Sequence, residues 1–143
     1  MAEDQFVAIP GGKIAVEWKR SPKYDSEAPT LVFLHEGLGC IGMWKDFPTA
    51  IADATGCPAL VYDRLGHGNS DPETAPRSAD FFKTEAFEIL PAILQAADIA
   101  PADVVLIGHS DGGTIALLYA GRFPVRGVIT EAAHVCVDDI SVA

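Results

Sequence analysis

The sequence predicts an α/β fold, a mostly parallel sheet of about six strands with helices on both faces, and three observations predict it. Short, near-continuous apolar runs alternate with helical patterns along the whole chain, which is the signature of βαβ units. Hydrophobic residues make up 49% of the chain and charged residues 21%, a globular balance rather than a disordered one. At 143 residues the chain suits one domain, 1–143, built around one core.

The elements follow in order. FVAIP and KIAVEWKR flank Gly11 and Gly12, and glycine reaches positive φ without a Cβ clash, so the first two strands form a hairpin. The polar connection SPKYDSEAP leads into TLVFLH, whose apolar run suits a strand covered on both faces. Trp44, Phe47 and Ile51 recur at helical spacing between Met43 and Thr55, and Gly56 stands at the position of a left-handed cap. PALVYD is the next strand. From Ser78 to Ala97 a stripe of Phe82, Ala86, Ile89, Ile93 and Ala97 predicts a helix that Pro91 kinks. DVVLIG is a third buried strand, Thr114 to Gly121 a helix with Pro124 just beyond, and VRGVITEAA a sixth strand.

Charge and targeting features exclude several functions. A net charge of −10 without a Lys or Arg run repels phosphate backbones and anionic lipid, so no nucleic acid partner is expected. The amino terminus holds Glu3 and Asp4 and no apolar run of signal-peptide length, and no segment is apolar enough to span a bilayer. A cytoplasmic protein without a membrane partner is the expectation. Cys40, Cys57 and Cys136 lack paired spacing and read as reduced, mostly buried thiols. Nothing in the histidine spacing resembles a metal site, and no cofactor is expected.

Chemistry in a parallel α/β sheet gathers beyond the carboxyl ends of the strands. There GHSDG, Gly108 to Gly112, matches G-x-S-x-G between a strand and a helix, the context that motif requires. The turn is so tight that only small residues fit beside the serine, which then projects alone at the positive end of the following helix.

With LVFLHEGLG and VYDRLGHGNSD in the same order along the chain, this motif makes the sequence resemble the α/β-hydrolase superfamily from the hairpin to the sixth strand. The resemblance implies that Ser110 is the nucleophile, and that the amides of Gly37 and Asp111 receive the oxyanion, each such donor being worth about 3 kcal/mol. Glu36 departs from the commoner pattern, in which a second glycine follows the histidine. The family's triad runs Ser, then Asp or Glu, then His after the last strand of a longer sheet. The resemblance therefore implies a half-length fold lacking the usual C-terminal strands and helices, and a serine without its usual base is a weak nucleophile.

Each histidine has its own reading. His109, inside the turn, points away from the nucleophile. His35 stabilises the oxyanion loop, and His67 belongs to a tight loop between Gly66 and Gly68. His134 falls just past the sixth strand beside Ser110, where it either lines the pocket or serves as the base, with Glu131 as its acid and Asp138 and Asp139 near enough to orient it. Asp111, Asp63 and Arg64 read as turn and loop ligands.

Ending at a sixth strand leaves an unpaired edge, which a two-fold homodimer covers most simply. Two function classes follow. One is a serine hydrolase of ester or other acyl substrates; the other is a non-catalytic half-domain, used for binding or assembly or an inactive fragment. Haloperoxidase-like or lyase chemistry on the same scaffold stays open, and the substrate is not specified.

Overall fold

The computed structural model describes residues 5–136. Strands β1 (Gln5–Ile9) and β2 (Gly12–Lys19) pair antiparallel with Ile9 opposite Gly12. The turn is thus Pro10–Gly11, one residue earlier than the glycine pair suggests. Proline suits the first turn position, and the φ of 104° at Gly11 suits the second.

Strands β3 (Thr30–Leu34), β4 (Ala59–Tyr62), β5 (Val104–His109) and β6 (Gly127–Glu131) complete a six-stranded sheet in the order β1-β2-β4-β3-β5-β6. β3 runs parallel to β4 and β5, and β5 parallel to β6; β2 meets β4 antiparallel. The apolar runs are continuous because both faces of the sheet are covered. Val32, Leu34, Leu60, Tyr62 and Leu106 face one core, while Leu31, Phe33, Val61 and Ile107 face the other with Ala52. Each large side chain so buried contributes about 1.5–3 kcal/mol.

Two predicted helices are broken by proline. Instead of one helix from Met43, a 3-10 turn at Ile41–Trp44 precedes α1 (Phe47–Thr55), with Lys45 at a φ of 51° between them. Pro48 sits in the first turn of α1, where its missing N–H costs nothing. Gly56 caps α1 in the left-handed region at a φ of 73°, donating its N–H to Ala52. The second run comprises α2 (Phe81–Thr84), a π-helical turn (Glu85–Ile89) and α3 (Leu90–Ala96). Pro91 cannot donate to Phe87 and its ring crowds that carbonyl, so the kink is absorbed as a wider turn. Ala86 and Ile93 of the predicted stripe are fully buried in the helix-side core.

Helix α4 (Asp111–Ala120) starts immediately after Ser110, three residues before the expected Thr114. Among the described residues no helix is long and apolar enough to cross a membrane. The cysteines are free, as read, but they are not buried. Cys40 and Cys57 are half-buried and Cys136 is exposed, because all three lie outside the sheet and its helices.

Candidate active site

Strand β5 ends at His109 and α4 begins at Asp111, so the chain reverses on Ser110 alone. Its φ of 53° and ψ of −117° are a conformation that costs a non-glycine residue about 1–3 kcal/mol. The reversal closes only because the residues two positions to either side, Gly108 and Gly112, lack side chains. A Cβ at Gly108 would run into the Gly112 carbonyl, and one at Gly112 into the Leu34 carbonyl. The Ser110 N–H donates to the Glu131 carbonyl at 2.8 Å, and the Thr114 N–H donates to the Ser110 carbonyl at 3.1 Å.

Past β6 the chain turns at Ala132, with a φ of 52°, and comes back across the start of α4. Gly113 makes room for it, since a Cβ there would stand 2.9 Å from the Ala133 methyl group. The Thr114 hydroxyl then holds His134, accepting its N–H and donating to its carbonyl, both at 2.9 Å. The outcome is a distance of 3.2 Å between Ser110 Oγ and His134 Nε2, within reach of proton transfer.

The structure does not bring every candidate together. Glu131 serves the site through its backbone carbonyl; among the described residues its carboxylate makes no hydrogen bond to His134. Asp138 and Asp139 lie outside the described residues. Asp111 opens α4, where the first amides have no partner within the helix, and its carboxylate lies close against Gly37. A Cβ at Gly37 would stand 2.7 Å from Asp111 Oδ2.

The loop bearing Gly37 is fixed from below. His35 is buried, and its Nε2 accepts the Arg64 N–H at 3.0 Å, so its proton sits on Nδ1 and is donated to the Glu36 carbonyl at 2.7 Å. Burial and then the Arg64 charge press the His35 pKa down to about 3, which keeps the ring neutral. Arg64, itself fully buried, donates Nη2–H to the same Glu36 carbonyl at 2.9 Å. The Glu36 carboxylate accepts the Leu38 N–H at 2.9 Å, closing the loop on itself. His109 joins His35, Glu36, Met43 and Trp44 around a cleft of about 210 Å³ beside the loop. Ser110 is absent from that lining, so the two neighbours in the turn address different spaces. Among the described residues no His, Cys, Asp and Glu cluster could hold a metal ion.

A family model described as alpha/beta hydrolase family matches residues 31–142. The chain belongs to the alpha/beta hydrolase family. Among curated relatives, protein phosphatase methylesterase 1 of Bos taurus is 33% identical over 97 residues, covering 66% of this chain and 24% of that protein. Proline iminopeptidase of Thermoplasma volcanium is 32% identical over 132 residues, covering 89% of this chain and 41% of that one. The crystal structure of proline iminopeptidase from Mycobacterium smegmatis superposes with a TM-score of 0.74 at 27% identity, over 88% of this chain and 42% of that one. The chain thus spans 24% to 42% of the length of these proteins.

Two contributors to this alpha/beta hydrolase site were not legible in the sequence. Thr114 reads there only as the beginning of a helix, and nothing marks it as the anchor of a residue twenty positions later. Arg64 reads as a loop ligand, and the structure shows which loop: the one that carries Gly37.

Proposed function

We propose that the chain is a serine hydrolase acting on ester or related acyl substrates. The observation that carries this reading is the 3.2 Å approach of His134 Nε2 to Ser110 Oγ on a strained strand-to-helix turn. Ser110 Oγ attacks the acyl carbon while His134 Nε2 takes its proton. The negative charge that develops on the carbonyl oxygen is received by the amides of Gly37 and Asp111, the latter at the positive end of α4. Collapse breaks the bond to the leaving group, which departs with the proton from His134, and Ser110 is left acylated. Water then attacks the acyl-enzyme with His134 again as base, freeing the acid and the serine. Relatives named as a methylesterase, a diacylglycerol lipase of Mus musculus and an iminopeptidase support acyl chemistry of this class.

A second reading, a non-catalytic binding or assembly module, is favoured by one observation: no described carboxylate holds the far nitrogen of His134. The two readings separate on labelling by a fluorophosphonate probe, read by mass. Labelling that disappears in Ser110→Ala and in His134→Ala is expected for the hydrolase. An unlabelled natural chain would sink it and leave the binding module.

A further inference from the structure

The peptide group between Glu36 and Gly37 supplies the proposed oxyanion donor, and its orientation is set at its other end. A trans peptide points its N–H opposite to its C=O. Here the C=O is drawn into the protein by two donors, His35 Nδ1–H at 2.7 Å and Arg64 Nη2–H at 2.9 Å. The Gly37 N–H is therefore turned the opposite way, out from the side where His35 and Arg64 hold that carbonyl.

The next carbonyl along is gripped as well. His67 Nε2 stands 2.9 Å from the Gly37 oxygen, while Nδ1 of the same ring stands 3.0 Å from the Leu65 oxygen. The ring lies between two acceptors, so it donates to both when doubly protonated and to one when neutral. It packs against His35 at 4.9 Å between centroids, and Arg77 Nη2 approaches Nε2 at 3.4 Å. Arg77 is tied through Nε to the Glu73 carboxylate, and its Nη2 can only donate, so the 3.4 Å approach is no hydrogen bond while Nε2 carries the proton given to the Gly37 carbonyl at the shorter 2.9 Å. Arg64 and His67 are three residues apart on one loop, which begins where β4 ends at Tyr62.

We propose that the loop after β4 is a positioning device for the oxyanion donor: Arg64 and His67 hold the carbonyl groups on either side of the Gly37 amide and so aim that N–H. The inference rests on the serine-hydrolase reading, because it gives the amide something to stabilise. Arg64 and His67 touch no reacting atom; they act through Gly37. A donor misaimed by a small rotation forfeits part of the contribution that an oxyanion contact makes only in the transition state, so the maximal rate suffers while ground-state binding does not.

Arg64 is fully buried, so the test falls on the half-buried His67. Saturation labelling with the fluorophosphonate is measured for the natural chain, His67→Leu and His67→Gln, together with hydrogen exchange at the Gly37 amide by NMR. In His67→Leu the maximal labelling rate should fall about tenfold, a fraction of the roughly hundredfold or greater loss from deleting a whole donor. The half-saturating concentration should hold, and Gly37 exchange should quicken. His67→Gln, whose carboxamide can still donate, should recover most of the rate. Unchanged labelling and exchange in His67→Leu would overturn the proposal, as would equal slowing in both variants. A natural chain that does not label at all removes the hydrolase reading, and the exchange measurement then decides the clamp alone: faster exchange in His67→Leu supports it, and unchanged exchange overturns it.

Discussion

One hydroxyl group on α4 holds both backbone ends of His134: Thr114 Oγ1 accepts its N–H and donates to its carbonyl, each at 2.9 Å. Thr114 lies one helical turn beyond Ser110 and donates its own N–H to the Ser110 carbonyl. The helix that presents the nucleophile thus also fixes the imidazole that faces it.

Thr114→Val keeps the shape of the side chain and removes both hydrogen bonds. Each typically contributes about 1 kcal/mol, so denaturant unfolding should register a loss of roughly 1–2 kcal/mol. Labelling of Ser110 should fall about tenfold, one decade for each 1.4 kcal/mol lost in positioning His134. Thr114→Ser should retain both properties. Equal reactivity in Thr114→Val would show that His134 is held by something else.

The backbone at Ser110 is a store of strain that glycine would relieve. Ser110→Gly should raise stability by about 1 kcal/mol or more while abolishing labelling, because a φ of 53° with a ψ of −117° carries no Cβ penalty for glycine. A lower melting temperature in Ser110→Gly would mean that the turn is not strained.

Two buried groups give the stability opposite slopes with pH. Burial, only partly offset by the Arg64 charge, pushes the Glu85 carboxyl up to about 7, so the folded state keeps a proton that the unfolded chain has released. Its contribution to stability therefore declines as pH rises from its ordinary value of 4.5 toward 7. His35 works the other way. With its pKa lowered from 6.5 to about 3, the folded state refuses a proton that the unfolded chain takes up, and stability is lost as pH falls through that window. Glu85→Gln should leave the acid loss in place and abolish the decline toward neutral pH, raising stability at pH 8 by roughly 1–3 kcal/mol. Parallel unfolding curves for the two proteins at pH 5 and pH 8 would contradict the assignment.

The Glu131 carboxylate makes no hydrogen bond to His134 among the described residues, whereas its carbonyl accepts the Ser110 N–H at 2.8 Å. Glu131→Gln preserves that carbonyl, so labelling should stay within about twofold of the natural chain, well inside the tenfold that 1.4 kcal/mol represents. A loss of tenfold or more would restore the carboxylate to the role of acid.

A homodimer is a further proposal. Among the described residues strand β6 ends the sheet order, and Ile129 on it is 59% exposed. Such an edge is a template for pairing with a second copy. Light scattering on a sizing column at micromolar concentration should give twice the monomer mass, and a monomer there would refute it.

What the sequence determined by itself is whatever local rules govern. Apolar runs read as strands because a sheet covered on both faces tolerates no polar position in Val32–Leu34 or Leu60–Val61. GHSDG read as a turn because Gly108 and Gly112 are the residues whose side chains the turn forbids. Gly56 read as a cap because it must take a left-handed φ. Proline was legible as a disturbance at 91, but not the form it took, and the break before Pro48 was not read at all, since whether a helix restarts or widens depends on what packs against it. Which side chains meet depended on how the elements pack. His134 reaches Ser110 because Ala132 turns the chain and Thr114 catches it, and Arg64 reaches the Glu36 carbonyl because β3 and β4 end side by side. These partners lie some 20 to 30 residues apart, and no local preference encodes them. They are set by strand order and register, which come from burying both faces of the whole sheet at once.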